Sequence, residues 1–184
     1  MNSSPGHESQ PRANRHGWNS FDNYFSTHDA QLKRLGEFFV EEQGDCLMPQ
    51  LIDAYTLQIV GTIWCHSNIF LNVNKVLEIN ERNQVRTIRY SYHAGVIVGG
   101  VTKNIFRYDN AHEFTREGHL DAHHKHLYSW ETNQQTGAPE WIGEAKWPTL
   151  SEVLYELYDW WQETGKFLSL DEDPLCPRPS PGQS

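Results

Sequence analysis

The chain has 184 residues, a formal net charge of −9, and seven Trp, eight Tyr and eight Phe. That length and bulk are enough for one cored domain without disulfides or a structural metal. The acidic balance excludes a protein that coats nucleic acid over a broad basic face, but leaves room for a small local phosphate site. No apolar run is long enough to cross a bilayer, and "MNSSPGHESQPRANRHGW" holds no hydrophobic signal core. The three cysteines, Cys46, Cys65 and Cys176, form neither a C-x-x-C pair nor an even disulfide set, so a reducing cytoplasm is the expected setting.

Residues 1–18, rich in Ser, Pro, Asn and Arg, read as a disordered leader. Residues 19–168 read as a single domain and 169–184, with four prolines, as a flexible tail. Within the domain, "STHDAQLKRLGEFFVEEQG" places Leu32, Leu35 and Phe39 at helical spacing, with Ser26 or Thr27 as the cap and Gly44 at the end. In "YTLQIVGTIWCH", Tyr55, Leu57, Ile59, Ile63 and Cys65 alternate as one face of a strand. "NIFLNVNKVLEIN" sets Ile69, Leu71, Val73, Leu77 and Ile79 against Asn72, Asn74, Glu78 and Asn80. This is the pattern of an antiparallel strand wet on one side. "ERNQ" makes a hairpin turn into "VRTIRYSYHAGVIV", where Ile88, Tyr90 and Tyr92 oppose Thr87, Arg89, Ser91 and His93. Gly99-Gly100 and "KNIFRYDN" complete a second hairpin. A last helix runs from about Thr149 to Thr164, with a Thr149-x-x-Glu152 capping box and an apolar stripe of Val153, Leu154, Leu157, Trp160 and Trp161. The expected fold is α+β: a meandering antiparallel sheet of about four strands with an N-terminal and a C-terminal helix packed on it.

The chemistry concentrates in "RYDNAHEFTREGHLDAHHKH", residues 107–126, which holds half of the chain's ten histidines. A zinc-type site would need three or four ligands together. His124 and His126 share a face of an extended segment, and His112 or Asp121 could add a third ligand. The spacing matches no zinc signature, however, and the carboxylates do not frame a magnesium site. Metal-free cleavage of RNA needs a base for the 2′-hydroxyl, an acid for the leaving oxygen and cations on the phosphate. His112, His124 and His126 supply the first two, Arg107 and Lys125 the third, and Asp109 an orienting carboxylate. Tyr90, Tyr92 or Tyr108 could stack a base or donate to phosphate. Taken singly, each histidine is more often solvated than catalytic, and core packing is the default for Tyr90 and Tyr92. His28, His66 and His93 read as surface residues, and Trp147 with Pro148 as a staple before the last helix.

The run Tyr90-Ser-Tyr92, then Phe106-Arg107-Tyr108-Asp109-Asn110-Ala111-His112, then His123-His124-Lys125-His126 resembles the TumE-type toxins of prokaryotic toxin–antitoxin systems. The likeness covers roughly residues 50 to 165. It implies an α+β toxin-like domain, a helix-turn-helix antitoxin as partner and, by analogy with other toxins, an endoribonuclease. On this reading His112, His124, His126, Arg107, Lys125 and Asp109 form the catalytic set, and Tyr90, Tyr92, Tyr108, Asn110 and His123 contact an RNA substrate. No cofactor is expected, a metal-dependent nuclease being the minority case. No membrane partner is expected, and self-association into a homo-oligomer is left open. The loop "EFTREGHLDA" lacks the proline-rich character of the family, and His119 and Asp121 take no role from it. A basic antitoxin would suit the acidic surface. The competing reading is a non-enzymatic module that uses the same surface to grip its antitoxin or another protein.

Overall fold

Strand alternation in the middle of the chain translates directly into an antiparallel meander. The computed structural model describes residues 16–36, 38–39, 47–110 and 122–167. A short strand β1 (Asn19–Ser20) leads into helix α1 (Phe21–Arg34). Then come β2 (Leu47–Asp53), β3 (Thr56–Cys65), β4 (Ile69–Ile79), β5 (Gln84–Val98), β6 (Val101–Asp109), β7 (His124–Leu127) and β8 (Glu140–Trp141). Helix α2 (Leu150–Glu163) and a 3-10 turn at Gly165–Phe167 complete the described part. Strands β2 to β8 pair in chain order, and β1 pairs with the first residues of the long β5. The fold is therefore α+β, as expected, but among the described residues its sheet has eight strands rather than about four. The additional strands lack a readable period for physical reasons. β2 is an edge strand, contains Pro49 and exposes Met48, Leu51 and Ile52, so no face is selected for burial. β1, β7 and β8 are only two to four residues long.

Turn chemistry fixes the register. Asn80 Oδ1 accepts from the amides of Arg82 and Gln84, closing the β4–β5 hairpin. Gly99 and Gly100, at φ 58° and 74°, make the tight β5–β6 turn that requires positive φ at both positions. Two bulges then set the phase of the strands. Val76 pairs with Arg89 and Leu77 with Thr87, so Ile88 is an extra residue in β5. Before it Val85 and Thr87 point inward, and after it Tyr90, Tyr92, Ala94 and Val96 do. Ile88, expected beside Tyr90, is 47% exposed instead. A second bulge places Ile105 as the extra residue of β6 (Ala94 opposite Phe106, Gly95 opposite Asn104). Phe106 and Tyr108 consequently face inward, and Arg107 and Asp109 turn to the opposite side.

The inner face, including Leu71, Val73, Tyr90, Tyr92, Phe106 and Tyr108, packs against Leu150, Val153, Leu154 and Leu157 of α2. That helix starts as its sequence signal required: Thr149 caps it and the Glu152 side chain returns the bond. Helix α1 is capped six or seven residues before the anticipated position. Ser20 accepts from the Asn23 amide, whereas the Ser26 and Thr27 hydroxyls donate back to the Asn23 carbonyl inside the helix. Tyr24 and Phe25 pack on a smaller cluster of Leu57, Ile59, Leu77 and Val85. Tyr55, placed by alternation on that face, is exposed. No described helix is long and apolar enough to cross a membrane.

One inward position of β4 carries an amine. Lys75, between Val73 and Leu77, is buried, with Nζ 3.1 Å from His28 Nε2 and 4.7 Å above the Tyr24 ring. Burial lowers its pKa from 10.5 to about 7. In the unfolded chain the amine keeps its ordinary value, so between these two values the unfolded state binds the extra proton and folding stability rises with pH. Relative to Lys75→Met, the wild type is expected to gain about 1.4 kcal/mol per pH unit across the middle of that window, read by urea unfolding. A difference independent of pH would contradict a buried amine that sheds its proton on folding.

Candidate functional site

Pairing of β6 with β7 builds the site. Arg107 lies opposite His126, Tyr108 opposite Lys125, and Asp109 opposite His124. Because successive side chains alternate, Arg107, Asp109, His124 and His126 share the face turned away from α2, while Tyr108 and Lys125 share the helix face. Asp109 and His124 have no exposed surface; the side chain of His126 is 13% exposed and that of Arg107 38%. Asp109 is the hub. Its Oδ2 forms an ion pair with Arg107 Nε at 2.9 Å, its Oδ1 stands 3.2 Å from His124 Nε2, and Oδ2 stands 3.8 Å from His126 Nε2.

The far sides of the two rings define their tautomers. His124 Nδ1 is 2.9 Å from the Ala122 carbonyl, which can only accept, so this nitrogen carries hydrogen. His126 Nδ1 is 2.9 Å from Gln135 Oε1. The Gln135 amide nitrogen donates to the Gly137 carbonyl, which turns its oxygen toward the ring. Both imidazoles therefore present Nε2 to the carboxylate. The three residues Asp109, His124 and His126 offer ligand atoms within 4.8 Å of one another, a set that could hold a metal ion.

The remaining anticipated residues lie elsewhere. Lys125 pairs with Glu156 of α2 at 2.6 Å and covers the Tyr108 ring, and Tyr108 donates to the other Glu156 oxygen at 2.6 Å. Burial, reinforced by Glu156, raises the Tyr108 pKa. Tyr90 and Tyr92 are core residues. His123 stacks against Tyr90 and packs tilted against Trp147 on the inner side, with Nδ1 3.2 Å from the Tyr90 hydroxyl. Asn110 accepts from the Tyr90 amide and donates to the Ile88 carbonyl, clamping the bulged strand. His112 falls outside the described residues, as do His119 and Asp121.

Besides Gln135, two neighbours were not anticipated. Trp141 of β8 lies opposite His124, with its ring 5.3 Å from the imidazole. His93 of β5 lies opposite Arg107 and is hydrogen-bonded to Asn104 Oδ1 at 2.7 Å. Burial lowers its pKa; the Asn104 bond opposes this and the Arg107 charge adds to it. Only strand register brings either residue to the site, and a linear motif carries no signal of that.

Removing the hub should cost far more than removing its exposed satellite. Asp109→Asn leaves Arg107 without its carboxylate and should destabilise the fold by about 3 kcal/mol. His126→Ala should stay within about 1 kcal/mol. Urea unfolding of both variants checks this, and equal small effects would contradict a structural hub at Asp109.

A family model described as toxin TumE matches residues 50–163. The span runs from β2 to the end of α2 and holds Arg107, Asp109, His124 and His126. Searches of curated proteins and of solved structures found no match. With well over half of its length matched, the chain belongs to the TumE toxin family.

Proposed function

We propose that this toxin is a metal-independent endoribonuclease, with Arg107 and His126 as the groups among the described residues that meet RNA. A toxin of this family implies an antitoxin partner. Our reading adds that the partner is a basic helix-turn-helix protein seated on the acidic surface, and that the RNA is cut in the cytoplasm. The observation that carries the proposal is the convergence of a partly exposed guanidinium and a partly exposed imidazole on one buried carboxylate. Asp109 holds both in place, and pre-set charge and orientation are what phosphodiester cleavage requires. His126 takes the 2′-hydroxyl proton and the 2′-oxygen bonds to phosphorus. The bond to the 5′-oxygen breaks as an acid returns a proton to it, leaving a 2′,3′-cyclic phosphate and a 5′-hydroxyl. Arg107 holds the charge that develops on the phosphate oxygens. His124 lies too deep to touch substrate and acts as a positioning residue through Asp109. His112 is the complementary acid in this scheme.

A second reading has its own support. A bare imidazole lone pair facing a carboxylate at 3.2 Å is repulsive, so a positive charge belongs between His124 Nε2 and Asp109. A proton meets that need, and so does a divalent cation. Rings that donate Nδ1–H to carbonyl oxygens and present Nε2 are oriented as histidine ligands commonly are. Asp109, His124 and His126 would then be the ligands, and the metal would activate water.

Purified protein incubated with mixed-sequence RNA in EDTA separates these readings. The proposal expects cleavage with cyclic-phosphate ends, reduced roughly 10²- to 10⁴-fold in His126→Ala and about 10²-fold in Arg107→Met, with both variants folded. Cleavage that appears only after a divalent metal is restored would replace it with the metal-dependent mechanism. No cleavage by intact protein under either condition would leave a surface that acts by binding another protein.

A further inference from the structure

A second concentration of polar side chains lies away from the Asp109 cluster. A cavity of about 190 Å³ opens where α1, β4, β5 and the start of α2 meet. Tyr24, Thr27 and His28 of α1, Lys75 of β4, and Thr87 and Tyr92 of β5 are among its walls. Among the described residues no aspartate or glutamate lines it, although the chain carries 24 acidic residues and a net charge of −9. The walls are instead rich in hydrogen-bond donors: an ammonium, imidazoles and hydroxyls.

Lys75 is the distinctive member. It is 5% exposed, and among the described residues its polar contacts are the His28 nitrogen at 3.1 Å and the Tyr24 ring at 4.7 Å. Tyr24 in turn shares a hydrogen bond of 2.8 Å with Thr87. A buried cation without a carboxylate is costly to keep charged, and a small anion beside it removes that cost. The cavity lies below the size range of drug-like ligand sites, which suits a group of a few heavy atoms. We propose that this cavity binds a small oxyanion, a phosphate or a carboxylate, with Lys75 as its cation and His28 and the Tyr24–Thr87 hydroxyl pair as further donors.

Titration behaviour is consistent with that geometry. Burial lowers the Lys75 pKa to about 7, which poises the amine to gain a proton when an anion arrives. Burial first, and the Lys75 charge second, lower the His28 pKa to about 3, so this ring stays neutral at the cavity wall. Tyr24 and Tyr92 have pKa values raised by burial and stay protonated as donors, and His16 is the remaining titratable wall residue.

The test needs no RNA and does not depend on the ribonuclease reading. The full chain is melted near neutral pH in inorganic phosphate, in acetate, and in sodium chloride of matched ionic strength. At about tenfold excess over Kd, one of the two oxyanions should raise Tm by about 3 °C over the chloride control, and Lys75→Met should lose the rise. Should that variant not fold, the ¹³C signal of the Lys75 Cε in the wild-type chain decides. The proposal expects a saturable move toward the ammonium position as oxyanion is added. No rise over chloride, an equal rise in Lys75→Met, or an unmoved Lys75 signal would overturn it.

Discussion

A carboxylate with no exposed surface has to be answered by positive charge, and the site of this protein is organised by that requirement at Asp109. Water cannot solvate this side chain, so the strand partners must. Arg107 on its own strand and His124 and His126 on the next converge on its two oxygens. The carbonyls of Ala122 and Gln135 take the opposite nitrogens of the two rings and stop them from turning. A short pair of strands thereby acquires fixed charge and fixed imidazole orientation, which flexible surface histidines lack.

The placement of that cluster follows from strand phase. Had β6 run without the extra Ile105, its alternation would have been shifted by one residue, exchanging which side chains face α2. The bulge instead sends Phe106 and Tyr108 into the core and Asp109 to the other face. The same alternation in β7 divides "HHKH": His124 and His126 join Asp109, while Lys125 is spent on Glu156 and fastens the sheet to α2. One pair of strands thus serves stability through one face and chemistry through the other.

Much of this was legible in the sequence, and the rest was hidden for identifiable reasons. The long strands β3 to β6 and helix α2 declared themselves because each buries one face and exposes the other. Arg107, Asp109, His124 and His126 were legible as a group, since two short polar clusters of complementary chemistry flank one loop. Lys125 entered the same group by nearness along the chain, although alternation alone sets it apart from its two histidine neighbours. Ile88 looked inward because a bulge leaves no mark in hydrophobic period, and β2 was silent because an edge strand selects no face. Ser26 and Thr27 imitated a cap, which hid the spacing of Tyr24, Phe25 and His28 that carries α1 onto the sheet. Lys75 broke the apolar rhythm of β4 without ending the strand. His93 and Trp141 reach the cluster only through register, which no local pattern contains.

The central claim is that two imidazoles are held with Nε2 toward one buried carboxylate. Long-range ¹H–¹⁵N NMR of the histidine side chains tests it most directly. The account predicts a protonated Nδ1 in both His124 and His126, and Nε2 signals in both rings that move when Asp109→Asn is introduced. A bare Nδ1 in either ring, or Nε2 signals indifferent to Asp109, would contradict it.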